Sequence, residues 1–413
     1  MYYRTAVFGV IIIASMVAVG TVPAATAEVP TQSNGSSQGE AYAGAHVSFE
    51  TTGNAVVDYA VNGETIVENV SVDASESARS GLGIGAGAGV SAITDVAGAS
   101  LGAQAQARAS VTVESESGAT ISAHDNGNGV LQVKASDESQ IATVDLGGEA
   151  TANQQSDGRI VVESGGGTEG TFLLVGSGDL AVNDKGDVTA EIESGGELVY
   201  RQYENDRSQA DEERERMIAE GTAAAEVYVQ QSTESGQETI ADAVEYGNDT
   251  TVEVAQESSS TVELTVERTQ SEGRVIASSV SKETFEAAEE LTVTVDGEAA
   301  AKADSSSAVE QTAKSGDEPA FYVEQSSSAE ATVDVFVGIH EFSTRTVTMT
   351  GDDGSSDGGS DSSGDGESSD SSDGGSSEDG SSGDSGSGST PGFGVGIALV
   401  AILGAALLAR RRN

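Results

Sequence analysis

From Val111 to Tyr203 short β-type segments begin near residues 111, 119, 130, 140, 149, 159, 170, 179, 188 and 197, mostly nine to eleven residues apart. Turn sequences sit between them: Asp125-Asn-Gly-Asn-Gly129, Gly147-Gly148, Ser156-Asp-Gly158, Gly165-Gly-Gly167, Asn183-Asp-Lys-Gly186 and Gly195-Gly196. A period that short leaves room for one strand and one turn, so the stretch reads as sheet throughout. The phrase Val113-Glu-Ser recurs as Val162-Glu-Ser-Gly and Ile192-Glu-Ser-Gly-Gly. Two architectures meet the pattern, an antiparallel sandwich and a β-solenoid. The repeats are too degenerate to establish a solenoid, and sandwich-like sheets are the favoured reading.

Strand patterns also precede this stretch. After a Ser/Gly/Gln-rich leader over 28–42 come His46-Val-Ser-Phe49, Ala55–Val61 and Thr65–Val72. Asn62-Gly63 between the last two is a two-residue hairpin signal, because both residue types tolerate positive φ. Gly81-Leu-Gly-Ile-Gly-Ala-Gly-Ala-Gly89 places glycine at every second position, which suits a flat packed face or a mobile segment. Its loose G-x-G-x-x-A match is not read as a nucleotide loop, which would need a flanking β-α-β pattern and a later acidic residue. Residues 208–220 give the one clear helix: Ser208 caps, Asp211 sits at the third helical position, Glu212 and Arg216 pair, and Gly221 stops it. Beyond Ala210, Met217, Ile218 and Ala219 it offers little to bury, so 204–222 reads as a connector. A second set of strands follows over 223–350, including Ala225–Val229, Thr250–Val254, Thr261–Val266, Leu291–Val295, Ala331–Val337 and Arg345–Met349, with Asp296-Gly297 as a turn. Its size suits an immunoglobulin-like sandwich. The expected fold is mainly β, with units 43–203 and 223–350 joined by a short helix.

The two ends read as transport signals. Residues 1–27 have one early charge, Arg4, then an apolar run and the small-residue cleavage site Ala25-Thr-Ala27 before Glu28. The alternative is a retained N-terminal anchor helix. With no Arg-Arg pair there, unfolded export is favoured over the twin-arginine route. At the other end, residues 351–389 are only Ser, Gly, Asp and Glu: 16, 12, nine and two respectively. Such a segment cannot form a core, so 351–390 reads as a disordered acidic spacer with an r.m.s. reach of roughly 35 Å. Pro391-Gly392-Phe393 follows, then an apolar run that makes Phe393–Ala409 a 17-residue membrane-helix candidate. Arg410, Arg411 and Arg412 close it and orient the helix with the tail inside and the body outside.

Spacer, Pro391-Gly392-Phe393, helix and arginine cluster together resemble the PGF-CTERM sorting signal of archaeal surface proteins, over 391–413. The resemblance implies that an archaeosortase recognises the tripeptide, removes the helix and attaches a prenyl-type lipid. A plain single-pass tail anchor has the same topology and differs only in keeping the helix. More loosely, 223–350 with its ending His340-Glu-Phe-Ser-Thr-Arg-Thr-Val-Thr348 looks like the membrane-proximal β module of haloarchaeal surface proteins.

Charge supports an exposed, brine-facing body. The chain holds 68 Asp plus Glu against 19 Lys plus Arg, and the four arginines of the two ends leave 15 bases over 28–389, a net of −53 there. That excludes nucleic acid as a partner, since phosphate binding needs a basic footprint. In molar salt the Debye length falls to about 3 Å, and dense carboxylates then hold hydrated cations instead of repelling one another. Loss of fold on desalting is expected.

Candidate chemistry is sparse. No Cys removes disulfides and thiol chemistry, and three His leave little for a metal centre. Asn34, Asn69 and Asn248 head N-glycosylation sequons. The Asp352-Asp-Gly-Ser-Ser-Asp357 type of run resembles a calcium loop by composition only, and Asn183–Asp187 reads as a turn. His46, His124 and His340 lie in separate contexts, and no G-x-S-x-G elbow occurs. Carboxylate pairs abound, but there is no Trp and aromatics are 4%, which leaves few platforms for sugars. The expectation is a non-enzymatic, cofactor-free surface glycoprotein at the outer face of the cell membrane. Its expected partners are the lipid anchor, the archaeosortase, and surface-layer proteins or copies of itself. It would serve as a structural or surface-layer-associated component, or alternatively as an adhesin or ligand-binding module.

Overall fold

Asn62 and Gly63 adopt φ of 51° and 83°, the mirror-image turn that matches strand twist, and join Ala55–Val61 to Glu64–Ala74 as an antiparallel hairpin. Asp296 and Gly297 repeat the device at 53° and 82° between Thr292–Val295 and Glu298–Ala299. The structure, a computed structural model, describes residues 40–351 apart from 86–87, 108, 204–205, 232–238, 259, 282–290 and 325–331. The segment 1–27 with Ala25 and Ala27, the sequon at Asn34, the acidic spacer beyond residue 351, Pro391-Gly392-Phe393, the apolar helix candidate and Arg410–Arg412 lie outside the described residues. Among the described residues no helix is long and apolar enough to cross a membrane.

The described strands form four sheets. In spatial order the first is Ala41–Ala43, Val47–Thr51, Ala55–Val61, Glu64–Ala74, Gln140–Leu146, Val188–Ile192 and Gly178–Val182. The second is Thr151–Ser156, Arg159–Glu163, Glu169–Val175, Glu197–Gln202, Val130–Ala135, Ala119–His124, Ser110–Ser115 and Leu101–Gln106. Every neighbouring pair in both is antiparallel. One apolar core lies between them, with Phe49, Tyr59, Val70 and Val144 from the first sheet against Ile121, Leu131, Ile160, Phe172 and Tyr200 from the second. Two facing antiparallel sheets replace the solenoid alternative: the chain pairs with its hairpin neighbours and crosses between layers, and no coil stacking occurs among the described residues.

The third sheet is Thr239–Glu245, Ala223–Gln231, Glu272–Ser281, Thr332–Glu341, Ala320–Glu324 and Ala301–Lys302. The fourth is Thr250–Ser258, Thr261–Arg268, Thr344–Thr350, Thr292–Val295 and Glu298–Ala299. Val227, Ile276, Val335 and Val337 of the third share a core with Leu264, Val266, Val293 and Met349 of the fourth. The immunoglobulin-like expectation needs correction here. Ala223–Gln231 runs parallel to Glu272–Ser281, and Ala301–Lys302 runs parallel to Ala320–Glu324, so the third sheet is mixed.

Among the described residues three α-helices accompany the sheets, where the sequence suggested one for the body: α1 (Ser75–Leu82), α2 (Gln209–Ala219) and α3 (Ser306–Ser315). Part of the glycine run is the end of α1, with Gly83 as its left-handed cap at φ 68°. Helix α2 begins with a complete capping box between Ser208 and Asp211. Val309 and Ala313 of α3 pack onto the third sheet, and a Cβ at Gly338 would stand 2.5 Å from the Val309 carbonyl oxygen, so glycine lets the helix approach.

Candidate functional site

The middle strands of the second sheet, Val130–Ala135, Glu169–Val175 and Glu197–Gln202, are buried on both faces, and strand periodicity sorts their residues. Along Glu169–Val175, Phe172 and Leu174 enter the first core, while Leu173 and Val175 point the other way and pack with Met217 and Ile218 of α2 and with Tyr228 and Val244 of the third sheet. The same alternation sends Leu198 and Tyr200 into the first core, and Val199 to this second face with Arg201 beside it. His124, Gln132 and Lys134 share that face by the same rule. The seam between the second and third sheets is therefore apolar in part and strongly polar in part.

One polar cluster centres on Glu226. Its Oε1 accepts from Arg201 Nη1 at 2.9 Å, and its Oε2 accepts from Tyr246 Oη at 2.6 Å and Tyr228 Oη at 3.2 Å. Arg214 of α2 approaches the same carboxylate at 3.7 Å and pairs with Asp334 of the third sheet at 2.8 Å. The Arg201 guanidinium lies 5.6 Å from the Tyr203 ring centroid, and that of Arg214 lies 5.2 Å from Phe336. Burial opposes ionisation of Glu226, but Arg201 and Arg214 outweigh it and hold its pKa below the usual carboxylate range. Burial, reinforced by the Glu226 charge, pushes the Tyr246 hydroxyl well up, so it stays a donor.

A second cluster centres on Glu215 of α2, which accepts from Tyr203 Oη at 2.5 Å, Thr171 Oγ1 at 2.7 Å, and Arg207 Nε and Nη2 at 2.6 Å each. Arg159 adds a contact at 3.2 Å. Burial again works against the charge, and the bonds from Arg207, Tyr203 and Thr171 outweigh it, lowering the pKa. A third cluster joins His124 Nδ1 to Asp242 at 2.9 Å and Nε2 to Gln132 at 3.1 Å, while Asn126 donates to Asp242 at 2.9 Å. Lys134 and Gln132 both donate to the Glu245 carbonyl. Beside α2 a cleft of about 650 Å³ opens, with Asp157, Arg159, Glu212, Glu213 and Arg216 in its wall. At the seam, Glu226 and Glu215 meet cations and hydroxyl donors that hold them ionised, an arrangement that fixes sheets against each other.

The sequence signals missed this seam. Helix α2, read as a connector with little to bury, buries Arg214 and Glu215 along with Met217 and Ile218. Arg201 is 0% exposed. The available signal was the concentration of scarce bases: Arg201, Arg207, Arg214 and Arg216 fall within 16 residues of a chain with 19 Lys plus Arg. Of the sequon residues, Asn248 is exposed in the turn between Thr239–Glu245 and Thr250–Ser258. Asn69 is half-buried in an inner strand, its amide donating to Ser71 Oγ at 3.1 Å and Asp145 at 3.3 Å. Among the described residues, the sequence-picked Asn69, Asn248, His46, His124 and His340 are not brought together into one site.

Residues 390–412 match the PGF-CTERM motif. The chain carries a PGF-CTERM sorting signal. The PGF-CTERM signal directs proteins to anchorage at the archaeal cell surface, with processing by archaeosortase and lipid attachment, so this chain is a surface-exported archaeosortase substrate. No curated protein matches the chain. Among solved structures, a mutant of the glycoside hydrolase family 81 protein from Clostridium thermocellum aligns at 8% identity and a TM-score of 0.30, over 74% of this chain and 34% of that one. The chain spans about a third of that enzyme's length, and a likeness this loose carries no argument.

Proposed function

We propose that this PGF-CTERM protein is a non-catalytic structural component of the cell envelope, associated with a surface layer and held above the membrane on its acidic spacer. The observation that carries the reading is the Arg201–Glu226–Arg214–Asp334 chain of ion pairs. It ties the second sheet, α2 and the third sheet, so that residues on both sides of α2 behave as one stiff body. Burying charge costs free energy that packing alone would not, and its return is a specific, fixed orientation. An envelope element under mechanical stress in brine needs that stiffness, and its excess carboxylates keep it hydrated. Of the two described sequons, Asn248 is the one open to a glycan, since modifying Asn69 would disrupt its bonds to Ser71 and Asp145.

Electron cryotomography of envelopes from cells lacking the protein tests the role. A structural component leaves gaps or lost order in the surface layer, restored by the full chain. An unchanged layer contradicts the proposal. The cleft beside α2 favours a second reading, a displayed ligand-binding module, which would show as lost adhesion to a glycan or partner cell with the layer intact.

A further inference from the structure

The second sheet has eight strands, all antiparallel to their neighbours. An even number fixes the direction of its two edges: Thr151–Ser156 and Leu101–Gln106 run opposite ways. When one copy's Leu101–Gln106 edge is laid beside another copy's Thr151–Ser156 edge, the pair is antiparallel and the sheet continues with its alternation unbroken. Both edge strands are six residues long.

Their composition separates them from the other edges. The two read Leu-Gly-Ala-Gln-Ala-Gln and Thr-Ala-Asn-Gln-Gln-Ser, without one charged residue, in a chain with 68 acids. Elsewhere, Gly178–Val182 carries Asp179, Thr239–Glu245 carries Asp242 and Glu245, and Thr250–Ser258 carries Glu253 and Glu257. The remaining edges, Ala41–Ala43, Ala301–Lys302 and Glu298–Ala299, are three residues or fewer. Charge and shortness are two guards against edge pairing, and among the described sheets only these two edges lack both; each does carry a bulge against its inner neighbour, between Leu101 and Gln104 and between Gln154 and Ser156. Gly102, Gln104, Ala105 and Gln106 on one, and Thr151, Asn153, Gln154, Gln155 and Ser156 on the other, are exposed.

The pleat also agrees. Gln104 and Gln106 lie opposite Val113 and Val111, and Ala152 and Gln154 lie opposite Val162 and Ile160, which places all four on the core-facing side. Ala105 and Asn153 lie on the outer side. Joined with Ala105 opposite Asn153, the edges would place Gln104 opposite Gln154, whose amide already donates to the Leu180 carbonyl at 3.1 Å, and Gln106 opposite Ala152.

We propose that copies of this chain join head to tail through these edges, Leu101–Gln106 of one against Thr151–Ser156 of the next. The inference rests on the structural reading above and names its partner, a second copy. With 68 acids per chain, like-charge repulsion is lowest where no charge is present, so these edges are where two copies approach most easily. A head-to-tail contact does not close on itself, so it builds open rows. Anchorage in one membrane plane raises the effective concentration, and a small contact then suffices.

The chain has no Cys, so Ala105→Cys and Asn153→Cys each introduce a single, exposed thiol. Full-length variants are expressed singly and together, and intact envelopes in molar salt are treated with a bis-maleimide spanning about 8 Å, the reach of direct and diagonal cross-strand neighbours. Circular dichroism matching the parent confirms the fold. The expected result is covalent dimer in cells expressing both variants, at least about tenfold above either alone, and a ladder of higher oligomers from the double variant. No product, or equal dimer from either single variant, overturns the proposal. If tomography still shows the layer depending on the protein, the edge assignment alone fails and the structural reading stands.

Discussion

Tyr200 and Arg201 are adjacent on one strand and equally buried, at 1% and 0% exposure, yet their surroundings differ in kind. Tyr200 tilts against Phe172, ring centroids 4.8 Å apart, in a core of aliphatic and aromatic side chains. Arg201 faces the opposite way, into a seam where its charge meets Glu226. The core is held by removing apolar surface from water, a force that excluded salts strengthen. The seam is held by charges shielded from water and ions, so brine does not screen them. The first interaction tolerates imperfect partners; the second fails when one partner is lost. Sheets that need only cohesion use the first, and the junction that must keep one orientation uses the second.

Desalting should give the largest effect. Taking the full chain from about 3 M to about 0.1 M salt lengthens the screening distance across an acidic exterior, and loss of β circular dichroism is expected. An unchanged spectrum would mean that core and seam together outweigh the repulsion. Next, Glu226→Ala leaves Arg201 and Arg214 buried without their shared carboxylate and should cost about 3–5 kcal/mol by denaturant midpoint in molar salt. A loss below about 1 kcal/mol would show that the seam is not held by charge.

Acid should then discriminate the two regions. Glu226 and Glu215 are held below the ordinary 4.5, and Glu310, paired with Arg216 and Lys314, is lowered to about 2. Each is more easily ionised folded than unfolded, so its contribution is full above about pH 4.5 and is lost as pH falls through the lowered values. Glu197, raised by burial, acts in the opposite sense and softens the change. Stability measured from pH 7 down to about 2.5 should fall below about 4.5, and the slope should flatten in Glu226→Gln. A pH-independent midpoint would contradict the sign. At the small end, Glu272 pairs with Arg274 at 3.0 Å while 68% exposed, and Glu272→Gln should change stability by less than about 0.5 kcal/mol.

The strands over 111–203 and both two-residue turns were legible because alternation, β-branched residues and Asn-Gly or Asp-Gly act locally. Helix α2 was legible from Ser208, Asp211 and Gly221 for the same reason. Helices α1 and α3 were not: Ser75–Leu82 buries only Ala78, and Ser306–Ser315 shows only Val309 and Ala313 as an apolar pair. The seam was hidden because Arg214 and Glu215 look like a solvated helix face until strands distant in sequence supply Glu226, Asp334 and Thr171. The sorting signal was the most legible feature of all, since residues 390–412 act as a linear address.

That this body is held at the cell surface by a processed C-terminus is tested most directly by the mass of the C-terminal peptide from native envelopes, extracted with and without detergent. A chain ending near Pro391 and carrying a lipid mass is the predicted result. An intact peptide running through Arg412 would contradict it and leave a plain membrane anchor in its place.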